Sequence, residues 1–289
     1  MNILYFVFGN NIEHYQQIYF SIYTALKNKA ADDKVIVIAE NSSYFNYLKD
    51  EIEIIDINQQ IVQEWAGQYH FFWRVKVKAL ELIATKYPDK HIMYLDGDTF
   101  IFKNLESIKQ ALNQGQNFMH LNEGKLCELK TKTERTMWRQ MKHKTFAGIV
   151  INEETCMWNA GLIAISKEHL GAINLALQLT DEMCAAGVTR RLIEQFSFGV
   201  ATNHYVALKA ADEWVGHYWG NKPQWNEVIT TFIKKCYMQN LTLEQSLEAI
   251  DQLPLKDYPI SVRNSSTQRK LKNLIDSFYK DKKAIYSKL

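Results

Sequence analysis

The sequence predicts an α/β protein with a mainly parallel central sheet flanked by helices and a helical C-terminal segment. Short apolar runs of strand length alternate with longer segments of helical period over the first two-thirds of the chain. Those short runs are apolar almost without a break, the pattern of strands covered on both faces. With 289 residues and 47% apolar composition, the chain is long enough to bury a sizeable core.

Taken in order, ILYFVFG (3–9) predicts a buried strand and HYQQIYFSIYTALKNK (14–29) a helix. KVIVIAE (34–40) and EIEIIDI (51–57) predict two more strands, FWRVKVKALELIATKY (72–87) a helix, and HIMYLD (91–96) another buried strand. TERTMWRQMKHK (133–144) reads as a helix, WNAGLIAIS (158–166) as a strand, and HLGAINLALQLTDEMCAAG (169–187) as a helix stopped by Gly187. A further helix follows around RRLIEQFSFGVATNHY, and the chain from about 228 is helical in pattern, interrupted by Pro254 and Pro259. This divides the chain into a catalytic domain (1–227) and a helical extension (228–289), packed on that domain or associated with a membrane. In sheets built this way, ligands bind beyond the carboxyl ends of the strands.

Composition narrows the function. A balance of 34 basic to 32 acidic residues is too even to predict a nucleic-acid partner from charge. The four cysteines are far apart and form no C-x-x-C pair, which predicts reduced thiols. MNILYFVFGNN has no basic leader, and no apolar stretch approaches the roughly 18 residues of a membrane span. The expected location is cytoplasmic.

The chemistry-bearing stretch is YLDGDTFIF (94–102), where Asp96 and Asp98 stand at a strand's carboxyl end. Three readings are open: solvated turn aspartates, the Asp-x-Asp of a haloacid dehalogenase-type phosphatase, or a divalent-metal clamp on a nucleotide-sugar diphosphate. The phosphatase reading requires its acid pair near the chain start and a second acidic cluster downstream, yet the only adjacent pair, Asp32–Asp33, lies upstream. A metal needs further ligands, and WVGHYWGNKPQW (214–225) supplies an imidazole, His217, followed by Gly220 and the cation Lys222. Two carboxylates, one imidazole and two phosphate oxygens make a sensible set for Mn²⁺ or Mg²⁺.

With these segments in this order, the chain resembles the GT-A glycosyltransferases, most closely the family that contains glycogenin and the lipooligosaccharide galactosyltransferases (family 8-like). The matching segments span about residues 3–225. GNNIEHY resembles the family's uridine-binding loop, with Gly9, Asn11 and Tyr15 as nucleotide-binding candidates and the Tyr15 ring stacking on the base. KALELIATKYPDKHIMYLDGDTFIFKNL resembles the basic helix and DxD segment, with Lys78 or Arg74 facing the sugar-diphosphate. WNAGLIAIS resembles the strand lining the donor sugar, and HYWGNKPQW the HFLG…KPW signature. The resemblance implies Asp96, Asp98 and His217 as metal ligands, and Asp96, Gly220 and Lys222 at the diphosphate. It implies Asn159 and Gln195 as partners of sugar hydroxyls and Glu194 as a sugar ligand or stabiliser of the anomeric carbon. The sequence departs from the family at Glu194–Gln195, where the family has Asp-Gln, and at Ala160, where it has serine.

The activity so implied is Mn²⁺-dependent transfer of a hexose from a UDP-sugar to a glycan or glycolipid, in bacterial surface polysaccharide synthesis, with retention of configuration. The alternative on the same fold is a non-catalytic nucleotide-sugar- or glycan-binding protein. WAGQYHFFW (65–73), Trp214, Trp219 and Trp225 are candidates for stacking on acceptor sugars, against plain core packing. The basic stretch 122–145 reads as a cover over the donor or as a solvated face. The tail 268–289 places Leu271, Leu274, Ile275, Phe278, Ile285 and Leu289 at helical spacing among seven basic residues. Two readings of it stay open: a helix docked on the domain, or peripheral contact with the anionic inner membrane face.

Overall fold

A computed structural model describes residues 1–261 together with 271, 274, 275, 277 and 278. The elements run β1 (Asn2–Val7), α1 (Ile12–Asn28), β2 (Lys34–Ala39), β3 (Glu53–Asp56), α2 (Gln59–Ala66), α3 (Arg74–Lys86), β4 (Ile92–Leu95), β5 (Thr99–Ile101) and α4 (Glu106–Asn113). They continue with β6 (Phe118–Lys125), α5 (Lys132–Met141), β7 (Thr145–Phe146), β8 (Ile149–Val150), β9 (Cys156–Ile165), α6 (Gly171–Ala185), α7 (Ile193–Tyr205), β10 (Lys209–Ala210), β11 (Val215–His217), α8 (Lys222–Met238) and α9 (Leu243–Ala249).

Seven strands form one sheet in the order β10-β6-β9-β4-β1-β2-β3. The pairings are parallel except along β9, which runs antiparallel to both β4 and β6. The uninterrupted apolar runs follow from burial on both faces. Leu4 and Phe6 of β1 join a cluster that includes Val75 and Leu80 of α3, Ile173 of α6 and Phe196 of α7. Their neighbours Ile3, Tyr5 and Val7 join the opposite cluster, with Ile18 and Phe20 of α1, Ile108 of α4 and Phe232 of α8. Every second residue thus serves the other layer.

Two features position the site. β5 leaves the main sheet and pairs antiparallel with β11, so that His217 stands opposite Thr99 and beside Asp98. The long strand β9 brings Asn159 and Gly161 against the end of β4, where Asp96 N–H donates to the Gly161 carbonyl at 2.9 Å.

Residue 227, the expected boundary, lies within α8, whose Phe232 packs edge-on against Phe20 and Tyr23 of α1. The basic stretch 122–145 divides into the end of β6 and the helix α5, which is started by a capping box between Thr131 and Glu134. Met137 and Met141 are fully buried, so α5 is anchored in the core by one face and solvated on the other. Among the described residues no helix is long and apolar enough to cross a membrane. Most of the tail 268–289 lies outside the described residues; Leu271, Leu274, Ile275 and Phe278 are exposed.

Candidate active site

The Asp-Gly-Asp turn is held from three sides. Thr99 Oγ1 donates to the Asp96 carbonyl at 2.7 Å, Tyr218 N–H donates to the Asp98 carbonyl at 3.0 Å, and the Thr99 and Ser21 hydroxyls are 3.1 Å apart. A Cβ at position 97 would meet Ile18 of α1 at 2.7 Å, which is why the residue between the two acids is glycine. The turn is built into the interface between the sheet and α1.

Asp96, Asp98 and His217 each direct one ligand atom to a common point, the three atoms lying within 4.8 Å of one another. His217 Nδ1 is 2.8 Å from Asn159 Oδ1. That oxygen also accepts the Gly161 N–H at 3.0 Å, and Asn159 Nδ2 faces the Glu123 carboxylate at 3.3 Å, so the amide is oriented by its partners on both ends. Nδ1 of His217 is therefore the protonated nitrogen, and Nε2 turns toward Asp98 Oδ1 at 3.4 Å. A Cβ at Gly161 would meet the His217 ring at 2.1 Å, so this glycine is the slot for the imidazole.

With one proton on Nδ1, the approach of Nε2 to the Asp98 carboxylate requires positive charge there, either a second proton on the ring or a metal between the two. The 3.4 Å between Nε2 and Asp98 Oδ1 is close to the roughly 3 Å that separates adjacent ligands about 2.1 Å from an octahedral ion. The residues present therefore fit a divalent metal. Burial alone would raise the Asp98 pKa, but His217 and Lys222 outweigh it and hold this carboxyl well below its ordinary range. Lys222 Nζ is 2.8 Å from Asp98 Oδ2 on the half-exposed rim.

The floor is formed by Lys76. Its Nζ donates to the Ala160 carbonyl at 2.8 Å, lies 3.1 Å from both Asp96 Oδ1 and Glu194 Oε1, and sits 4.6 Å over the Tyr94 ring. Burial lowers the Lys76 pKa in isolation, yet Asp96 and Glu194 reverse that and raise it. Glu194 is raised by its own burial, against the pull of Lys76. Lys76 Nζ is the charge partner of Glu194 Oε1, an oxygen fully buried at the floor.

The structure places the sequence-derived candidates unevenly. Asp96, Asp98, His217, Asn159, Glu194, Gln195 and Lys222 are brought together. Lys78 and Arg74 are not: Lys78 pairs with Glu81 one turn on, and Arg74 forks onto Asp181 of α6 through Nε at 2.7 Å and Nη2 at 2.9 Å. Positions 74 and 78 share a helix face, and position 76 lies roughly 200° around from each, so the lysine that meets the acids is Lys76. Tyr15 is buried; its hydroxyl donates to the Gly9 carbonyl at 2.8 Å and its ring packs on Tyr44 and Phe45, so its face is taken by protein. Tyr15 shapes the loop instead, holding Gly9 in a left-handed turn (φ 81°), while Asn11 caps α1. Gly220 is glycine for a different neighbour than a phosphate: a Cβ there would meet Ser261 at 2.6 Å. The carbonyl of nearby Pro259 accepts from Asn221 Nδ2 at 2.7 Å and from the Trp225 indole at 3.2 Å.

Of the aromatic candidates, Trp225 is fully buried and stacked on Tyr218, whereas Trp219, Phe72 and Trp73 are exposed. Glu123, absent from the motif reading, accepts from Gln195 Nε2 at 3.0 Å as well as from Asn159.

No family model matches the chain, and no curated protein matches it by sequence. Solved structures do match. The galactosyltransferase LgtC, in complex with donor and acceptor sugar analogs, aligns over 80% of this chain and 94% of its own with 13% identity and a TM-score of 0.50. Mouse xyloside xylosyltransferase 1 aligns over 73% of this chain and 85% of its own (12% identity, TM-score 0.48). GlyE of Streptococcus pneumoniae covers 100% of this chain with 65% of its own (12% identity, TM-score 0.45). The likeness to LgtC, together with the mostly parallel seven-stranded sheet, shows the fold expected from the sequence motifs: the chain has a GT-A fold.

Proposed function

We propose that the protein is a metal-dependent glycosyltransferase that moves a hexose from a UDP-sugar to a glycan or glycolipid acceptor. The observation that carries this reading is the convergence of Asp96, Asp98 and His217 on one point, with Nε2 of the histidine turned to the acid pair. Mn²⁺ or Mg²⁺ bound there would supply positive charge to the departing nucleoside diphosphate. The chain's own residues would do the rest. Lys222, on the rim, adds a fixed cation for the diphosphate. Lys76 holds Asp96 and Glu194 in place, so that neither carboxylate must be ordered when the donor arrives. Glu194, and the Gln195 amide beside it, are the groups assigned to sugar hydroxyls. Two lysines face three carboxylates at the floor and rim, leaving room for a cation that arrives with a diphosphate. Retention of configuration follows from the family resemblance. The exposed rings of Phe72, Trp73 and Trp219 are of the kind that suits the C–H faces of an acceptor sugar. A role in bacterial surface polysaccharide synthesis follows from the family resemblance.

Calorimetry of UDP with Mn²⁺ and with chelator, in wild type and Asp98→Ala, tests this. Tight binding that needs both the metal and Asp98 is expected, with the variant still folded. Metal-independent UDP binding, equal in both proteins, would discard the metal site and keep a nucleotide-binding protein.

A further inference from the structure

The Glu123 carboxylate joins the two amides of the site, taking Asn159 Nδ2 on one oxygen at 3.3 Å and Gln195 Nε2 on the other at 3.0 Å. A carboxylate suits this position because it offers an acceptor oxygen to each amide and no donor that would compete with them. Which end an amide turns to a ligand is set by what holds its other end. We propose that Glu123 is a positioning residue that sets the orientation of Gln195, so that Gln195 turns its carbonyl oxygen, and not its NH₂, to the ligand. The proposal rests on the reading of this site as a donor pocket.

The two amides are held unequally. Asn159 Oδ1 takes the Gly161 N–H at 3.0 Å and the His217 Nδ1–H at 2.8 Å, so its orientation is fixed without Glu123. Gln195 has Glu123 as its side-chain partner, and its Oε1 has no donor among the described residues. In Glu123→Gln the new side chain has one acceptor oxygen and one NH₂. The oxygen stays with Asn159, the NH₂ faces Gln195, and Gln195 must turn over to accept from it. A change two contacts away thus reverses one amide and spares the other.

Metal-free, nucleotide-free protein labelled with ¹⁵N in its Asn and Gln side chains, and in its histidine rings, reads this directly. In wild type, one amide proton of Asn159 and one of Gln195 carry the downfield shift of a hydrogen bond to a carboxylate. In Glu123→Gln, the Gln195 pair loses its hydrogen-bonded proton, the Asn159 pair keeps one with the smaller shift of an amide acceptor, and the His217 ring nitrogens stay where they were. In Glu123→Ala, both amide pairs lose it. Gln195 resonances that are the same in all three proteins would overturn the proposal. So would Glu123→Gln spectra in which Gln195, Asn159 and His217 all move together, because that describes a packing role. Calorimetry keeps the two readings apart: wild type that fails to bind UDP with Mn²⁺ would sink the donor-site reading, and the amide spectra would still decide the role of Glu123.

Discussion

Two lysines flank the acid pair, and they are embedded in opposite ways. Lys76 is buried to 5% side-chain exposure on the floor, with two carboxylates, a backbone carbonyl and an aromatic face around its ammonium group. Lys222 is 45% exposed on the rim and has one carboxylate partner, Asp98. The floor is committed before any ligand arrives, whereas the rim cation is free to exchange its partner for a phosphate. A buried ammonium group withdrawn from three acceptors leaves buried charge behind, and a rim ammonium group withdrawn from one leaves a carboxylate that can take a metal. The floor is therefore expected to answer to stability and the rim to ligand affinity.

Lys76→Ala has the largest expected effect. It strips Glu194 and Asp96 of their buried cation and should cost about 3–5 kcal/mol, the range for removing one partner of a buried pair. Urea unfolding with an unchanged slope is the measurement. The Glu194 pKa, already raised by burial, would then lose the opposing pull of Lys76 and rise further. A loss of under about 1 kcal/mol would place Lys76 with the surface lysines and dissolve the contrast.

Why the sequence pointed to Lys78 or Arg74 while the structure brings Lys76 to the acids is a matter of helix geometry. Lys76, Leu80 and Ile83 lie on one stripe, and the last two are fully buried, so the spacing already placed Lys76 on the inward face. A resemblance that rests on a basic residue somewhere on that helix does not say which turn of it faces the acids. The buried strands and helices were legible because burial on both faces leaves apolar runs, and the acid pair was legible because it follows one of those runs. β6 was not: its second half, LNEGK, is polar and half-exposed, so the strand that carries Glu123 has no apolar signature where it matters. The burial of Tyr15 was not legible because an aromatic in such a loop looks the same in sequence whether its face is open or covered. Tyr44 and Phe45, which cover it, lie some thirty residues along the chain. Asn159 was legible as a site residue but not in its role, since its partners His217 and Glu123 come from distant strands.

Lys222→Ala sharpens the rim side of the comparison. Thermal and urea stability should fall by about 1 kcal/mol, less than for Lys76→Ala, because Lys222 is half exposed although its partner Asp98 is buried. UDP affinity in the presence of Mn²⁺ should fall about tenfold, the equivalent of about 1.4 kcal/mol for one charge-assisted contact. Equal UDP affinity in the variant would mean that the Lys222–Asp98 contact is structural and that the diphosphate lies elsewhere.

The smallest expected effect belongs to Lys78→Ala, two residues from Lys76 on the same helix. Lys78 pairs only with Glu81 within α3, a contact of a kind that contributes roughly 0.2–0.5 kcal/mol. Stability should move within that range, and UDP affinity with Mn²⁺ should match wild type. The two variants remove the same charge from the same helix, so the difference between them isolates which face of α3 looks into the site. A Lys78→Ala protein that is stable but binds UDP weakly would turn α3 by half a revolution and return the diphosphate to the lysine that the family resemblance implied. Equal behaviour to wild type, beside a destabilised Lys76→Ala, would mean that α3 contributes to the site through one buried lysine and that its other cations serve the surface.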